Sequence, residues 1–448
     1  MEKDRLESTL KQALAAGADS ADILLMHSIS TEAGVRLGRT ESLERSQSLE
    51  MGLRVFKGGR QAIVSSNDLS DTAVEQAVGR AVSMVAHIPE DEFCGIAEEG
   101  LYAQHWEERL DGLDTEDKKH ADLAPDLLLE RALQAEAAAL DVKGIENSEG
   151  AEFGWSRSAY TYLTSAGFCG AYTRTGGSVF VAVLAGKGTE MERDYATQYA
   201  CHWDDFESPE ETGRRAAQRT LKRLSPKKIS TAAMPVVFDP RVSRTLLRHL
   251  SGAISGASVA RGTSFLKNEM GKKIFADGVT IIDDPLRRRG LSSQPFDDEG
   301  VACEKLALVE DGVLQHWLLD LRSARQLGLV TNGRAARGLS SPASPSATNL
   351  SLQNGKDTPE ALIGDIKNGL YVTELMGHGI NMVTGDYSRG AFGFLIENGE
   401  ITSPVSEITI AGNLKDMWLN LTPANDLAYR YGTDAPTLLV NGMTVAGN

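Results

Sequence analysis

Apolar and polar residues alternate with a period of two in short runs fenced by helical stripes, and this order occurs twice; it constrains the fold more than any bulk property of the chain. Successive strand residues point to opposite faces, so such alternation marks half-buried strands. Over residues 21–66 the runs are ADILLMHSIS, EAGVRLGR, SLEMGLRVFKGG and RQAIVSS, with glycines between them, as in an antiparallel meander. Ahead of them Leu6, Leu10 and Leu14 share one helical face, and Gly17 can close that helix in the left-handed conformation. Behind them residues 71–86 carry the stripe Val74, Ala77, Val78, Ala81, Val82 and Val85, with Thr72 and Glu75 at capping-box spacing. The same order returns with a helix over 126–140, the runs SAYTYLTSAG, CGAYTRTGG, SVFVAVLAG and DYATQYACHW between residues 144 and 203, and a closing helix over 209–224. Little residue identity links the two copies, so the duplication is one of architecture.

Four segments follow: an N-terminal α/β subdomain (1–88), a connector (89–125), a second subdomain of similar layout (126–225), and a β-rich C-terminal domain (226–448). The last holds one helix over 242–259 and many short strand-like runs separated by Gly, Asn, Asp and Pro; ENGE at 397–400 predicts a type I′ hairpin. The expected class is α+β, with a duplicated helix–antiparallel sheet–helix region ahead of a larger β-rich domain. Residues 331–357, rich in Ser, Gly, Asn, Ala and Pro, read as either a disordered loop or a functional lid.

The chain has 448 residues, 62 acidic against 46 basic, for a net charge of -16, and this balance disfavours direct nucleic-acid binding. Its most basic stretch, RRAAQRTLKRLSPKK at 214–228, reads as a solvated helix face. No apolar run approaches the roughly 18 to 20 residues that cross a bilayer, and the charged N-terminus lacks a signal-peptide core, so a cytoplasmic protein with no membrane contact is expected. Cys94, Cys169, Cys201 and Cys303 are scattered without a Cys-x-x-Cys pair, as suits reduced, largely buried thiols.

Eight histidines are too dispersed for any local zinc motif, and no nucleophile elbow or phosphate loop occurs. PFDDEG at 295–300 could supply paired carboxylates or bind a hard cation, but a polar hairpin turn is the simpler reading. His249 lies in LLRHLSGAISGAS, a helix of small and apolar residues. The densest unusual segment, 371–416, has glycines at 377, 379, 385, 390, 393, 399 and 412, which permit tight corners or close approach of a peptide or subunit.

This segment resembles the TldD/PmbA family, in its PmbA (TldE) branch. SFLKNEMGKKIF at 264, RGLSSQPFDDEGV at 289, VEDGVLQHWLLDLRSARQLGLVTNG at 309, GLYVTELMGHGINMVTGDYSRGAFGFLIENGEITSPVSEITIAGNL at 369 and LLVNGMTVAG at 438 carry the likeness. The resemblance implies a subunit that joins a TldD-type partner to form a zinc peptidase acting on unfolded or precursor peptides, microcin precursor among them; older naming makes it a modulator of DNA gyrase. In the TldD branch a His-Glu-x-x-x-His helix and a later cysteine hold the metal. Here Leu250 and Ile254 stand where the glutamate and second histidine would be, and no cysteine follows Cys303.

The expectation is therefore no catalytic or metal-binding residue and no cofactor in this chain, with zinc in the TldD-type partner. The chain would complete a peptide-binding chamber by strand addition along its glycine-rich edges, and could pair with itself when alone. Candidate peptide or interface residues are Arg261, Glu374, Asp386, Ser388, Arg389 and Asn413, polar groups set among glycines or turns. The alternatives are a non-catalytic regulator of gyrase or its toxin, and a hydrolase using Asp297 and Glu299.

Overall fold

A computed structural model describes residues 2–447. The first α1 (Glu2–Ala15) buries Leu6, Leu10 and Ala13, and leaves Leu14 38% exposed because Ala13 takes the third inward place. Three strands follow, β1 (Ser20–Arg36), β2 (Arg39–Phe56) and β3 (Gln61–Ser66), then α2 (Asp71–Val85). The cap of α2 is Ser70, whose hydroxyl accepts from Ala73 N, and not Thr72. After α3 (Glu107–Leu113) the layout repeats as α4 (Pro125–Leu140), β4 (Ile145–Thr164), β5 (Cys169–Ala185), β6 (Glu192–Ala200) and α5 (Pro209–Lys222). Two of the sequence runs, CGAYTRTGG and SVFVAVLAG, merge into β5: Gly177 does not break it, since a Cβ there would lie 2.5 Å from the Gly154 carbonyl and 2.6 Å from the Trp155 ring.

The six strands form one sheet in the order β3-β2-β1-β4-β5-β6, with β1 and β4 antiparallel from Asp22↔Thr164 to Val35↔Ala151. The two copies are thus mirror-ordered halves of a continuous layer. Ile23 and Leu25 pack under α1 and α2, while Ala33, Phe153 and Trp155 pack under α4 and α5. Leu24, Tyr162 and Tyr172 face the opposite way and meet Phe296 of the C-terminal domain. The connector is a strap onto that domain: Ala103 N donates to Gly300 O at 2.9 Å, and Arg109 Nη1 to Cys303 O at 2.7 Å.

The C-terminal domain opens with β7 (Ala232–Phe238), α6 (Pro240–Ala253) and α7 (Gly256–Ala260). The single helix expected over 242–259 is broken, because Ile254 O accepts from Leu318 N at 2.9 Å and Gly256 N donates to Leu318 O at 2.8 Å. Short pieces come next: β8 (Ile281–Asp283), β9 (Leu306–Glu310), β10 (Val313–Leu314), α8 (Leu321–Leu327), β11 (Ala335–Ala336), β12 (Ser344–Pro345), β13 (Leu350–Leu352) and α9 (Pro359–Gly364). Long strands close the chain: β14 (Asn368–Met376), β15 (Asp386–Glu397), β16 (Glu400–Asn413), then α10 (Leu414–Leu419), β17 (Leu421–Pro423), β18 (Thr433–Asp434) and β19 (Leu438–Ala446). Strands β16, β15, β14, β7 and β19 run in order and β16 pairs with β19, closing a five-stranded ring around the largest apolar core. Asn398 and Gly399 have φ of 53° and 83°, as the ENGE hairpin requires.

The 331–357 segment is neither disordered nor a lid. Arg334, fully buried, donates to Asp283 at 2.5 Å, Thr348 N donates to the same carboxylate at 2.7 Å, and Arg337 reaches Asp22 of β1 at 2.5 Å. PFDDEG is a turn, closed by Gly300 N to Asp297 O at 2.9 Å, but a buried one, against expectation. Asp297 accepts from the backbone of Glu299, Val301 and Ala335, and Glu299 from Leu321 N, so these carboxylates brace loops out of reach of any substrate. Burial pushes both carboxyls above the ordinary carboxylate range.

Asp22 gathers the domains. It accepts from Arg54 at 2.6 and 2.9 Å, Arg337 at 2.5 Å and Tyr162 Oη at 3.1 Å, while Arg54 also lies 3.7 Å from Glu299. Burial opposes ionisation of Asp22, yet the two guanidinium groups hold its pKa below the ordinary value. Arg54→Ala strips the knot of one cation and leaves buried carboxylates uncompensated, so a loss of about 3–5 kcal/mol is expected in equilibrium denaturation.

Candidate functional site

The C-terminal end of α6 and the loop over 377–385 frame a surface that carries most of the sequence-derived candidates. The loop folds back along the start of β15: Ser388 N donates to Gly379 O at 2.7 Å and Asn381 N to Asp386 O at 2.9 Å. Gly379 is required there, since a Cβ would fall 1.6 Å from Ser388 O. On the other side residues 386–389 pair with β16, from Asp386↔Asn413 to Arg389↔Ile410. Both edges of this stretch are therefore occupied by the chain itself, which leaves no free edge for strand addition at TGDYSRG.

Asp386 and Asn413 meet here with Ser388 on the same face of β15, while Arg389 lies on the face of Tyr387. Asn413 caps α10 through Lys415 N at 3.1 Å and donates to Asp386 Oδ1 and Thr384 O, each at 3.1 Å. Thr384 Oγ1 donates to Asp386 at 2.6 Å, and these bonds from Thr384 and then Asn413 hold the exposed carboxyl below its usual range. Arg389 donates through Nε to Met376 O at 3.0 Å. Arg261 is exposed beyond α7, four residues before Phe265, whose N donates to Met382 O of the loop at 2.9 Å. Glu374 does not join them: it accepts from Arg223 of α5, whose guanidinium lies 3.7 Å above the Phe392 ring. Met376 and Val383, 48% and 61% exposed, add apolar surface beside the cluster.

His249 projects from α6 beneath this loop, its ring centroid 6.0 Å from that of Tyr387. Its Nε2 and the Tyr387 hydroxyl are both buried without a hydrogen-bond partner. Burial, then the charges of Arg389 and Arg248, depress its pKa to about 4, so it is neutral at physiological pH. Leu250 and Ile254 are fully buried in the core. The residues here do not fit the zinc that the resemblance implies for the pair. A phenol and a cation face the imidazole, and among the described residues no group of three or more His, Cys, Asp or Glu could hold a metal.

Sequence reasoning missed the inward face of α5. Arg215, Arg219 and Arg223 recur every four residues, a helical stripe that could have signalled a buried face. The expected solvated face is instead partly a seam: Arg223 pairs with Glu192, Asp194 and Glu374, and Arg219 donates to Tyr195 O at 3.2 Å.

Comparison with known proteins places this arrangement. The PmbA/TldA metallopeptidase C-terminal domain matches residues 231–447, the central domain 118–224 and domain 1 residues 21–85. The chain belongs to the PmbA/TldD family. It is 38% identical over 442 residues to the metalloprotease PmbA of Escherichia coli O157:H7, covering 98% of this chain and 95% of that protein. The crystal structure of a Bacteroides thetaiotaomicron family member, named for modulation of DNA gyrase, aligns at TM-score 0.91 and 27% identity over 100% of this chain and 99% of that one. TldE of Thermococcus kodakarensis shares the fold at TM-score 0.88 and 22% identity, covering 99% and 100%. A TldD homologue of Buchnera aphidicola is 28% identical over 216 residues, covering 48% of this chain and 45% of that protein.

The depressed pKa of His249 means that the unfolded chain takes the proton first. Its contribution to stability, present above the ordinary value of 6.5, is lost as pH falls through about 4. An NMR titration, assigned by the resonance missing in His249→Gln, should give a midpoint near 4, and the variant should lose less stability than the parent across that window.

Proposed function

We propose that this chain is the PmbA/TldE-type member of a two-subunit cytoplasmic zinc peptidase, and that it completes the peptide-binding chamber of a metal-bearing TldD-type partner. The observation that carries this reading is the setting of His249. A hydrolytic zinc needs three protein ligands and a base for its water, whereas this imidazole meets Tyr387 and Arg389 on a helix whose other relevant positions are buried aliphatics. Metal chemistry then belongs to the partner, and this chain binds and orients.

Peptide recognition falls to side chains. With both edges of residues 386–389 occupied, Asp386, Ser388, Arg389 and Asn413 offer acceptors and donors to a peptide main chain, and Met376 and Val383 offer apolar contact without a shaped side-chain pocket. Low sequence preference follows, in keeping with unfolded or precursor peptides, such as a microcin precursor, as substrates. Without its partner the same surface would pair with a second copy. The name of the Bacteroides relative keeps a regulatory reading open, in which the chain modulates gyrase or a toxin without cleavage. Its net charge of -16 directs such an effect through protein contacts and away from DNA.

Elemental mass spectrometry should find substoichiometric zinc in the chain purified alone and about one zinc per pair after co-expression with a TldD-type partner. Stoichiometric zinc in the isolated chain, lost in His249→Ala, would overturn the proposal.

A further inference from the structure

Two cavities, about 490 and 230 Å³, share Arg219, Asp239 and Arg241 along the seam between α5 and the start of α6. They lie apart from the Asp386 cluster, and nothing in the peptidase reading uses them. The larger is open to the C-terminal ring through Thr373, Phe394 and Ile401, with the exposed Lys222 on its α5 side.

Its walls hold hydrogen-bond donors in excess of acceptors. Thr373 is the residue skipped where the β14–β15 register shifts between Val372 and Glu374, a bulge that re-aims its side chain. It is 8% exposed, and its hydroxyl has no partner. The Arg241 side chain is 9% exposed; its terminal nitrogens grip Asp194 at 2.7 and 3.3 Å, while Nε, 3.9 Å from Asp239 Oδ1, makes no hydrogen bond. Arg219 is satisfied only by the neutral Tyr195 carbonyl, and among the described residues no carboxylate lies within ion-pair distance of it. Burial, and then the charge of Arg241, work against its guanidinium, and the charges of Asp239 and Asp194 only partly offset them.

The acids of the cavity are already engaged. Asp194 pairs with Arg241 and Arg223, and Asp239 accepts from Tyr371 Oη at 2.7 Å and from Arg241 N at 2.9 Å. Arg219, Lys222 and Arg241 against Asp194 and Asp239 leave one positive charge on the wall. The half-buried Arg219, the net positive charge of the wall and the two orphaned donors together suit an anion. The apolar Phe394 and Ile401 side calls for a ligand body that is not charged throughout.

We propose that this seam cavity binds a carboxylate carried on an apolar body, with Arg219 as its charge partner, Thr373 and Arg241 Nε as further donors, and Phe394 and Ile401 against the body. The same chemistry is offered by a small organic acid and by the C-terminus of a peptide.

The test is isothermal titration calorimetry of the full chain with N-acetyl-phenylalanine, its amide, and acetyl-Ala-Ala-Phe. The free acid is expected to bind at one site per chain and the amide not to bind. Equal affinity for the tripeptide acid identifies peptide C-termini as ligands, and its exclusion identifies small acids; either supports the proposal. Arg219→Gln should weaken the acid by about tenfold or more, as loss of a charged hydrogen bond does, and Thr373→Val by about three- to tenfold. Thermal unfolding checks that each variant folds, and Thr373→Val, nearly isosteric, stands in if Arg219→Gln does not. Acid and amide binding alike, no binding by any probe, or parental affinity in the folded variants overturns the proposal.

Discussion

One carboxylate, Asp22, lets the two parts of this chain act as a single body. It sits at the start of β1, fully buried, and takes bonds from Arg54 on the neighbouring strand, from Tyr162 on β4 and from Arg337, which arrives from the C-terminal domain. A lone buried charge would be expensive; two guanidinium groups and a phenol make it tolerable, and they must be held in register to do so. That requirement explains why residues 331–357, which look like a free loop, are packed. Their arginines are the counter-charges of Asp22 and Asp283.

With the layers fixed in this way, the closed C-terminal ring can support a surface of irregular loops. The stretch over 377–385 lies on β15 through glycines and short backbone bonds, and Asn413 ties it to the start of α10. Rigid support under a polar, glycine-rich surface suits a subunit that presents groups to a peptide or partner. The imidazole of His249 lies under that surface, neutral and without a partner.

Much of the architecture was legible because it rests on local periodicity. The α2 stripe, the twofold recurrence of helix, strands and helix, and the ENGE hairpin all follow from residue spacing. What was not legible depends on tertiary partners. Nothing local announces that Gly177 is a packing glycine inside a strand, or that Leu318 breaks the helix at Ile254. PFDDEG read as a polar turn because its three carboxylates look solvated, whereas backbone amides and Arg54 satisfy them in the interior. Turn chemistry pointed to Asp386 and Asn413, which the fold brings into contact, and to Ser388 and Arg389 beside them on β15. Glu374 met the same criterion but serves a different seam, since strand alternation alone cannot say which domain covers a face.

The central claim is that this chain contributes binding groups and no metal to a shared chamber. The most direct measurement is turnover of an unstructured peptide by the complex reconstituted with a TldD-type partner, with Asp386→Ala and Arg389→Ala introduced together in this chain. The account predicts a raised KM or weakened subunit pairing, with the zinc content of the complex unchanged. Parental turnover with intact pairing would contradict it.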